Sequence, residues 1–192
     1  MFSMSKCREE GDARAGFRAL ATLTLCLTIG CGNHDVPADA TDCWPTDTTA
    51  GGQLELGTGD TAFVAMPTEI DLVFGSQGGY HIPTRTQIRN LDPGDLNDVT
   101  APNNPRTRVR AFFIDTEQPT YGTSCPLRVG YAEQGDGSYV DPNVIEARFF
   151  ENLGPPDLFD KQFRVLAEVI DSTNTLASDE KVVTVRAPTN AL

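Results

Sequence analysis

The sequence predicts an all-β fold, an antiparallel β-sandwich of about seven to nine strands. Three observations carry this reading. From residue 53 onward, short stretches alternate apolar and polar residues with a period of two, which is the strand period. The chain's 17 glycines and 13 prolines favour many turns over long helices. No amphipathic segment with helical period reaches about ten residues.

The expected strands follow in order. QLELG (53–57) sets Leu54 and Leu56 on one face. TAFVAM (61–66) and EIDLVFG (69–75) read as short apolar strands. YHIPTRTQIRN (80–90) alternates Tyr80, Ile82, Thr84, Thr86 and Ile88 against His81, Arg85, Gln87 and Arg89. It predicts a half-buried strand with one wet face. Pro83 predicts an edge position or a bulge there, because proline donates no ladder hydrogen bond. A loop dense in Pro, Asn and Asp (91–105) precedes RTRVRAFFID (106–115), where Val109, Ala111 and Phe113 share a face. PLRVGYA (126–132) aligns Leu127, Val129 and Tyr131. VIEARFF (144–150) aligns Ile145, Ala147 and Phe149. QFRVLAEVID (162–171) and KVVTVRA (181–187), separated by STNTLASDE, read as a closing hairpin. The loops at 91–105, 132–143 and 151–161 are long enough to carry contacts. The last contains Gly154-Pro155-Pro156, a stiff turn expected to present Leu158 and Phe159.

The closing pattern FRVLAEVIDSTNTLASDEKVVTV resembles the last two strands of bacterial immunoglobulin-like and fibronectin type III-like domains. The resemblance implies an immunoglobulin-like sandwich across 53–192. The Cys–Trp–Cys spacing of a true immunoglobulin domain is not present.

Ahead of these strands, ALATLTLCLTIG (19–30) is an apolar run of about twelve residues, the length of a signal-peptide core and too short for the roughly 20 of a bilayer-spanning helix. Lys6, Arg8, Arg14 and Arg18 precede it, and the start is readable at Met1 or Met4. The run ends Leu27-Thr28-Ile29-Gly30-Cys31. This resembles the lipobox of bacterial lipoproteins. The resemblance implies a signal peptide over 1–30 and acylation of Cys31, whose freed amine takes a further chain. Thr28 stands where leucine is usual. Gly32 follows the cysteine, and the absence of aspartate there favours the outer membrane by the same resemblance. Ordinary signal-peptidase cleavage after Ala38-Asp39-Ala40, an uncleaved anchor and a core helix remain the alternatives. Residues 31–52 then form a tether, rich in Asp, Thr, Ala and Gly, with a random-coil reach of roughly 25 Å. Trp44 is out of character for a linker and is expected to pack on the domain.

Charge bounds the partners. The formal net charge is −12. Residues 1–30 hold four of the 15 bases and three of the 27 acids, so the rest of the chain carries 11 bases against 24 acids and is acidic on balance. Such a surface repels phosphate backbones, and nucleic acid is discarded as a partner. The expected partners are a membrane, through the lipid, and an envelope protein or polysaccharide.

Of five cysteines, Cys7 and Cys26 leave with the signal segment and Cys31 carries lipid. Cys43 and Cys125 are then an even number in an oxidising compartment and are expected to pair, two free or buried thiols being the alternative. No CxxC spacing suggests a zinc ribbon or a redox site.

Motifs for chemistry are sparse, and no catalytic residue is assigned. Gly75-Ser76-Gln77-Gly78-Gly79 lacks the spacing of a nucleophile elbow and of a phosphate loop, and reads as a turn. His81 is the single histidine of the strand region, too few for a zinc site, and reads as a hydrogen-bonded surface residue on the wet face. Neither a metal nor another cofactor is expected. The acidic loops 92–104 and 133–143 offer calcium-type oxygens, and turn chemistry accounts for the same residues. Arg85 and Arg89 on one strand, with Arg106, Arg108 and Arg110 on another, form a basic stripe if those strands are neighbours. Cross-strand ion pairs are the competing expectation. The residues expected to contact a partner are therefore His81, Arg85, Arg89, Leu158 and Phe159. The expected role is non-catalytic: a lipid-anchored cell-envelope protein displaying a binding or structural β-sandwich. A carboxylate-using envelope hydrolase and a calcium-dependent adhesion module are the alternatives.

Overall fold

The structure, a computed structural model, describes residues 44–76, 78–121 and 125–188. Cys31 and Cys43, and with them the signal segment and most of the tether, lie outside the described residues.

The strands are β1 (Thr49–Ala50), β2 (Gln53–Thr58), β3 (Val64–Ala65), β4 (Glu69–Asp71), β5 (Val73–Phe74), β6 (Tyr80–Arg89), β7 (Arg106–Phe113), β8 (Leu127–Arg128), β9 (Ala132–Glu133), β10 (Tyr139–Val140), β11 (Ile145–Arg148), β12 (Gln162–Ile170) and β13 (Thr175–Arg186). One turn of helix, α1 (Pro155–Leu158), precedes β12. The strands form two sheets. One runs β1-β13-β12-β7-β8, with β4 also on β13; the other runs β3-β2-β6-β10-β9, with β5 and β11 also on β6. Pairing is antiparallel except for β1 and β4, which lie parallel to the two ends of β13. The all-β sandwich predicted from periodicity is what forms.

Period-two alternation decides which residues face inward. From the first sheet come Val109, Ala111, Phe163, Val165, Ala167, Val183 and Val185; from the second, Leu56, Ile82, Ile145, Ala147 and Phe149. Phe163 is fully buried and meets Phe149 of the opposite sheet edge-to-face, with centroids 4.9 Å apart. Each of the buried valine, leucine, isoleucine and phenylalanine side chains contributes about 1.5–3 kcal/mol through area removed from water.

Several expectations are corrected. Part of the expected tether is strand, since β1 pairs with β13, while Trp44 packs on the domain as expected, its ring centroid 3.8 Å from the Arg108 guanidinium carbon. The last strand starts at Thr175, not 181. Its polar residues 178–180 hid it, yet Asp179 faces the opposite sheet and accepts the Leu56 N–H at 2.8 Å. The stretch 126–132 is two strands in different sheets, because the chain crosses at Gly130. A Cβ there would sit 2.2 Å from the Asp95 carbonyl oxygen, so only glycine passes. Residues 132–140, expected as loop, form the β9–β10 hairpin.

The strand β6 is central rather than at an edge. On one side its partner changes from β5, paired through His81, to β2, paired from Arg85. Pro83 sits in that gap. Its carbonyl accepts the Thr58 hydroxyl at 2.8 Å, on the side where a ladder N–H would have met no strand. Nor does β6 keep a wet face. Loops cover it, leaving His81 8% and Arg85 6% exposed.

Between the sheets runs a buried polar chain. The Tyr131 hydroxyl lies 2.8 Å from both Thr86 Oγ1 on β6 and Thr107 Oγ1 on β7. Asp141 Oδ2 accepts from the Thr86 N–H and hydroxyl, each at 2.6 Å. Asp141 Oδ1 is buried without a hydrogen-bond partner. Burial pushes the Asp141 carboxyl up to about 6, against the pull of the Thr86 bonds and the Arg85 charge. Burial likewise pushes the Tyr131 phenol well above its ordinary value, so it stays neutral.

Candidate functional site

The short strand β11 is flanked by two hollows of about 330 Å³ each. Its alternation places Ile145 and Ala147 in the core and turns Glu146 and Arg148 outward. Pairing with β6 sets Arg148 beside His81 and Glu146 beside Pro83.

The first hollow opens between the sheets, where β7 (Thr107 to Ala111) approaches β11, and Tyr121, Cys125 and Leu127 complete it. It is largely apolar. The second is polar and lies on the outer face of β6 and β11. A glycine turn forms one wall, with Gly75 N–H donating to the Gly79 carbonyl at 2.9 Å and Gly78 N–H to that of Gly75 at 3.0 Å. Gly78 and Gly79 hold φ of 92° and 80°, in the region glycine adopts without strain. Opposite stand His81, Glu146, Arg148, Glu151 and Tyr121, with Ser76 on the turn.

Inside this cleft Arg148 binds Glu146 Oε2 at 2.8 Å through Nε and Nη2. The Glu146 carboxylate first, and Tyr121 after it, hold the guanidinium above its ordinary pKa. His81 Nε2 lies 3.8 Å from Glu146 Oε1, too far for a hydrogen bond. Burial, countered by Glu146 and assisted by Arg148, lowers the imidazole pKa below its ordinary value, so His81 is neutral at pH 7. The cleft thus offers acceptors, donors and a neutral imidazole, with two carboxylates against one guanidinium. Tyr80 and Tyr121 are among its lining residues, and each packs on a neighbouring ring. Tyr121 and Phe150 are 39% and 42% exposed, with centroids 5.8 Å apart. Exposed Phe74 meets Tyr80 at 5.1 Å.

Of the residues expected to contact a partner, His81 reaches this cleft as a buried residue, not as the surface residue expected. Arg85 is buried, donating to the Asp60 carbonyl at 2.8 Å and the Asp141 carbonyl at 3.4 Å. Arg89 is half-exposed and paired with Asp136 on the β9–β10 turn. Leu158 is fully buried and Phe159 half-buried against Tyr80 at 5.5 Å. The Gly-Pro-Pro turn therefore inserts these two side chains instead of presenting them, since one helical turn directs Leu158 into the core. No basic stripe joins Arg85 and Arg89 to the arginines of β7, because β6 and β7 belong to different sheets. Cross-strand pairing claims Arg108 and Arg110 instead, at 2.7 and 2.8 Å from Glu168. Burial raises the Glu168 carboxyl pKa, but the two guanidiniums outweigh it and hold it below the usual range.

The acidic loops use their carboxylates on their own backbone. Asp92, Asp95, Asp98 and Asp136 each accept the N–H two residues on, at 2.8–3.0 Å. Such Asx turns account for the aspartates. Sequence reading missed Glu146, Arg148, Tyr121 and Phe150. The outward direction of Glu146 and Arg148 follows from the alternation of β11, but which strand brings them to His81 is a matter of register.

Compared with known proteins, the chain matches no family model and no curated relative.

Proposed function

We propose that this protein is a lipid-anchored cell-envelope lipoprotein whose β-sandwich is a non-catalytic binding domain. The anchor is acylated Cys31, and residues up to Trp44 span from membrane to domain. The observation that carries the binding reading is the polar cleft at His81, Glu146 and Arg148, with exposed Tyr121 on its wall and Phe150 packed on Tyr121. Recognition fits this cleft better than hydrolysis. Its best-placed carboxylate, Glu146, is engaged by the Arg148 guanidinium at 2.8 Å. A calcium-dependent role has less support, because the acidic loops cap their own turns.

The sandwich is read as immunoglobulin-like. In support, the third long strand, β7, shares a sheet with the last two, β12 and β13, as strands C, F and G do in that fold. A Cys43–Cys125 bridge belongs to the same proposal. Trp44, next to Cys43, stacks on Arg108, and Arg108 and Cys125 line one hollow. Closing a loop of about 80 residues would stabilise the fold by roughly 4–5 kcal/mol on the chain-entropy account.

Cell fractionation of Cys31→Ala tests the anchor. The wild-type protein is expected in the membrane pellet and resistant to salt extraction. The variant should move to the soluble fraction by about tenfold or more, since two or more acyl chains supply the stable hold. A variant that stays in the pellet contradicts the proposal.

A further inference from the structure

We infer that the cleft on the outer face of β6 and β11 binds a neutral oligosaccharide, seating one or two sugar rings against the glycine turn and the Tyr121–Phe150 pair. The inference rests on reading the domain as a binding module and is independent of the anchor.

The decisive geometry is the 3.8 Å gap between His81 Nε2 and Glu146 Oε1. One hydroxyl can bridge the two, donating to the carboxylate oxygen and, with Nε2 carrying the ring proton, accepting from the imidazole. A carboxylate or phosphate ligand would place like charge against Glu146. Arg148 holds Glu146 through Nε and Nη2 and stands beside the Tyr121 hydroxyl, so the guanidinium and the phenol face the cleft together. Ser76 and Glu151 add a hydroxyl and a carboxylate on the remaining walls. Mixed donors and acceptors converging from several sides suit a polyol.

The rings supply the complement. A pyranose carries C–H groups on one face, and an exposed aromatic face, with its negative quadrupole, attracts them. Tyr121 and Phe150, both exposed, offer such faces beside Arg148. The glycine wall brings bare backbone to the ligand: nothing lies within 4 Å of where a Gly78 Cβ would be. A volume of about 330 Å³ is at the small end for small-molecule sites and suits a short sugar segment. Two carboxylates against one guanidinium disfavour acidic sugars.

The test uses the full-length protein in detergent micelles, titrated by calorimetry with maltotetraose, cellotetraose, chitotetraose and an acidic control, tetragalacturonate. At least one neutral tetrasaccharide should bind. Arg148→Ala and Phe150→Ala, both at exposed side chains, should each weaken that binding about tenfold or more. Val182→Ala, on the outer face of the other sheet, should leave it unchanged. Thermal melts within a few degrees of wild type establish that the variants are folded. Should no neutral sugar bind at about 10 mM, should tetragalacturonate bind best, or should both cleft variants bind as wild type does, the inference is overturned. None of these outcomes bears on membrane attachment, and a soluble Cys31→Ala protein would bind sugar as before.

Discussion

Phe163→Ala is expected to lower the unfolding free energy by about 3–5 kcal/mol, a large part of the 5–15 typical of a native domain. The side chain is fully buried and joins the sheets, meeting Phe149 at 4.9 Å across the core and Phe113 at 5.4 Å on the neighbouring strand. Truncation removes both ring contacts and leaves a cavity that a sandwich braced by β7 and β13 on either side of β12 cannot close. Urea denaturation reads the effect as a lower midpoint at unchanged slope. For comparison, Val182→Ala on the solvent face should fall within about 0.5 kcal/mol of wild type. A Phe163→Ala protein as stable as Val182→Ala would mean that the two sheets do not pack as described.

The second large effect concerns pH. Burial raises the Asp141 carboxyl to about 6 from an ordinary 3.8, and it stands against Thr86, Tyr131 and the Arg85 side chain. Between those two values the folded protein holds a proton that the unfolded chain has lost. The stabilisation from this group is therefore fully present below about pH 4 and disappears as pH rises through 6. Its size is about 3 kcal/mol. Asp141→Asn keeps an acceptor for the Thr86 N–H and does not titrate. The stability difference between wild type and variant should thus shift by about 3 kcal/mol between pH 4 and 7, in favour of wild type at the acid end. Comparing the two proteins cancels Glu168 and Asp171, whose carboxyl pKa values are lowered and whose contributions run the opposite way. A difference that is flat over this range would place Asp141 in water.

Much of the fold was legible from period-two alternation, because β6, β7, β11 and β12 each bury one face against the other sheet. Reading failed where tertiary contacts override local pattern. Asp179 and Lys181 point inward and pair at 3.0 Å, so the first half of β13 looked like a turn. Pro83 looked peripheral, yet a change of partner strands opens a gap for it at the centre of a sheet. His81 and Arg85 looked wet because alternation tells which face a residue is on, not whether a loop covers that face. Leu158 looked displayed because Gly-Pro-Pro signals a turn and says nothing of its direction. The cleft was the least legible feature. It joins the glycine turn, β6, β11 and the segment at Tyr121, and only register and loop packing bring them together.

The mass of the mature N-terminal peptide, from protein purified out of the producing cells, tests the proposed anchor most directly. The expected result is a chain beginning at Cys31 that carries a diacylglyceryl thioether and an acylated amine. A chain that begins well upstream of residue 31, or a Cys31 without acyl groups, would contradict it.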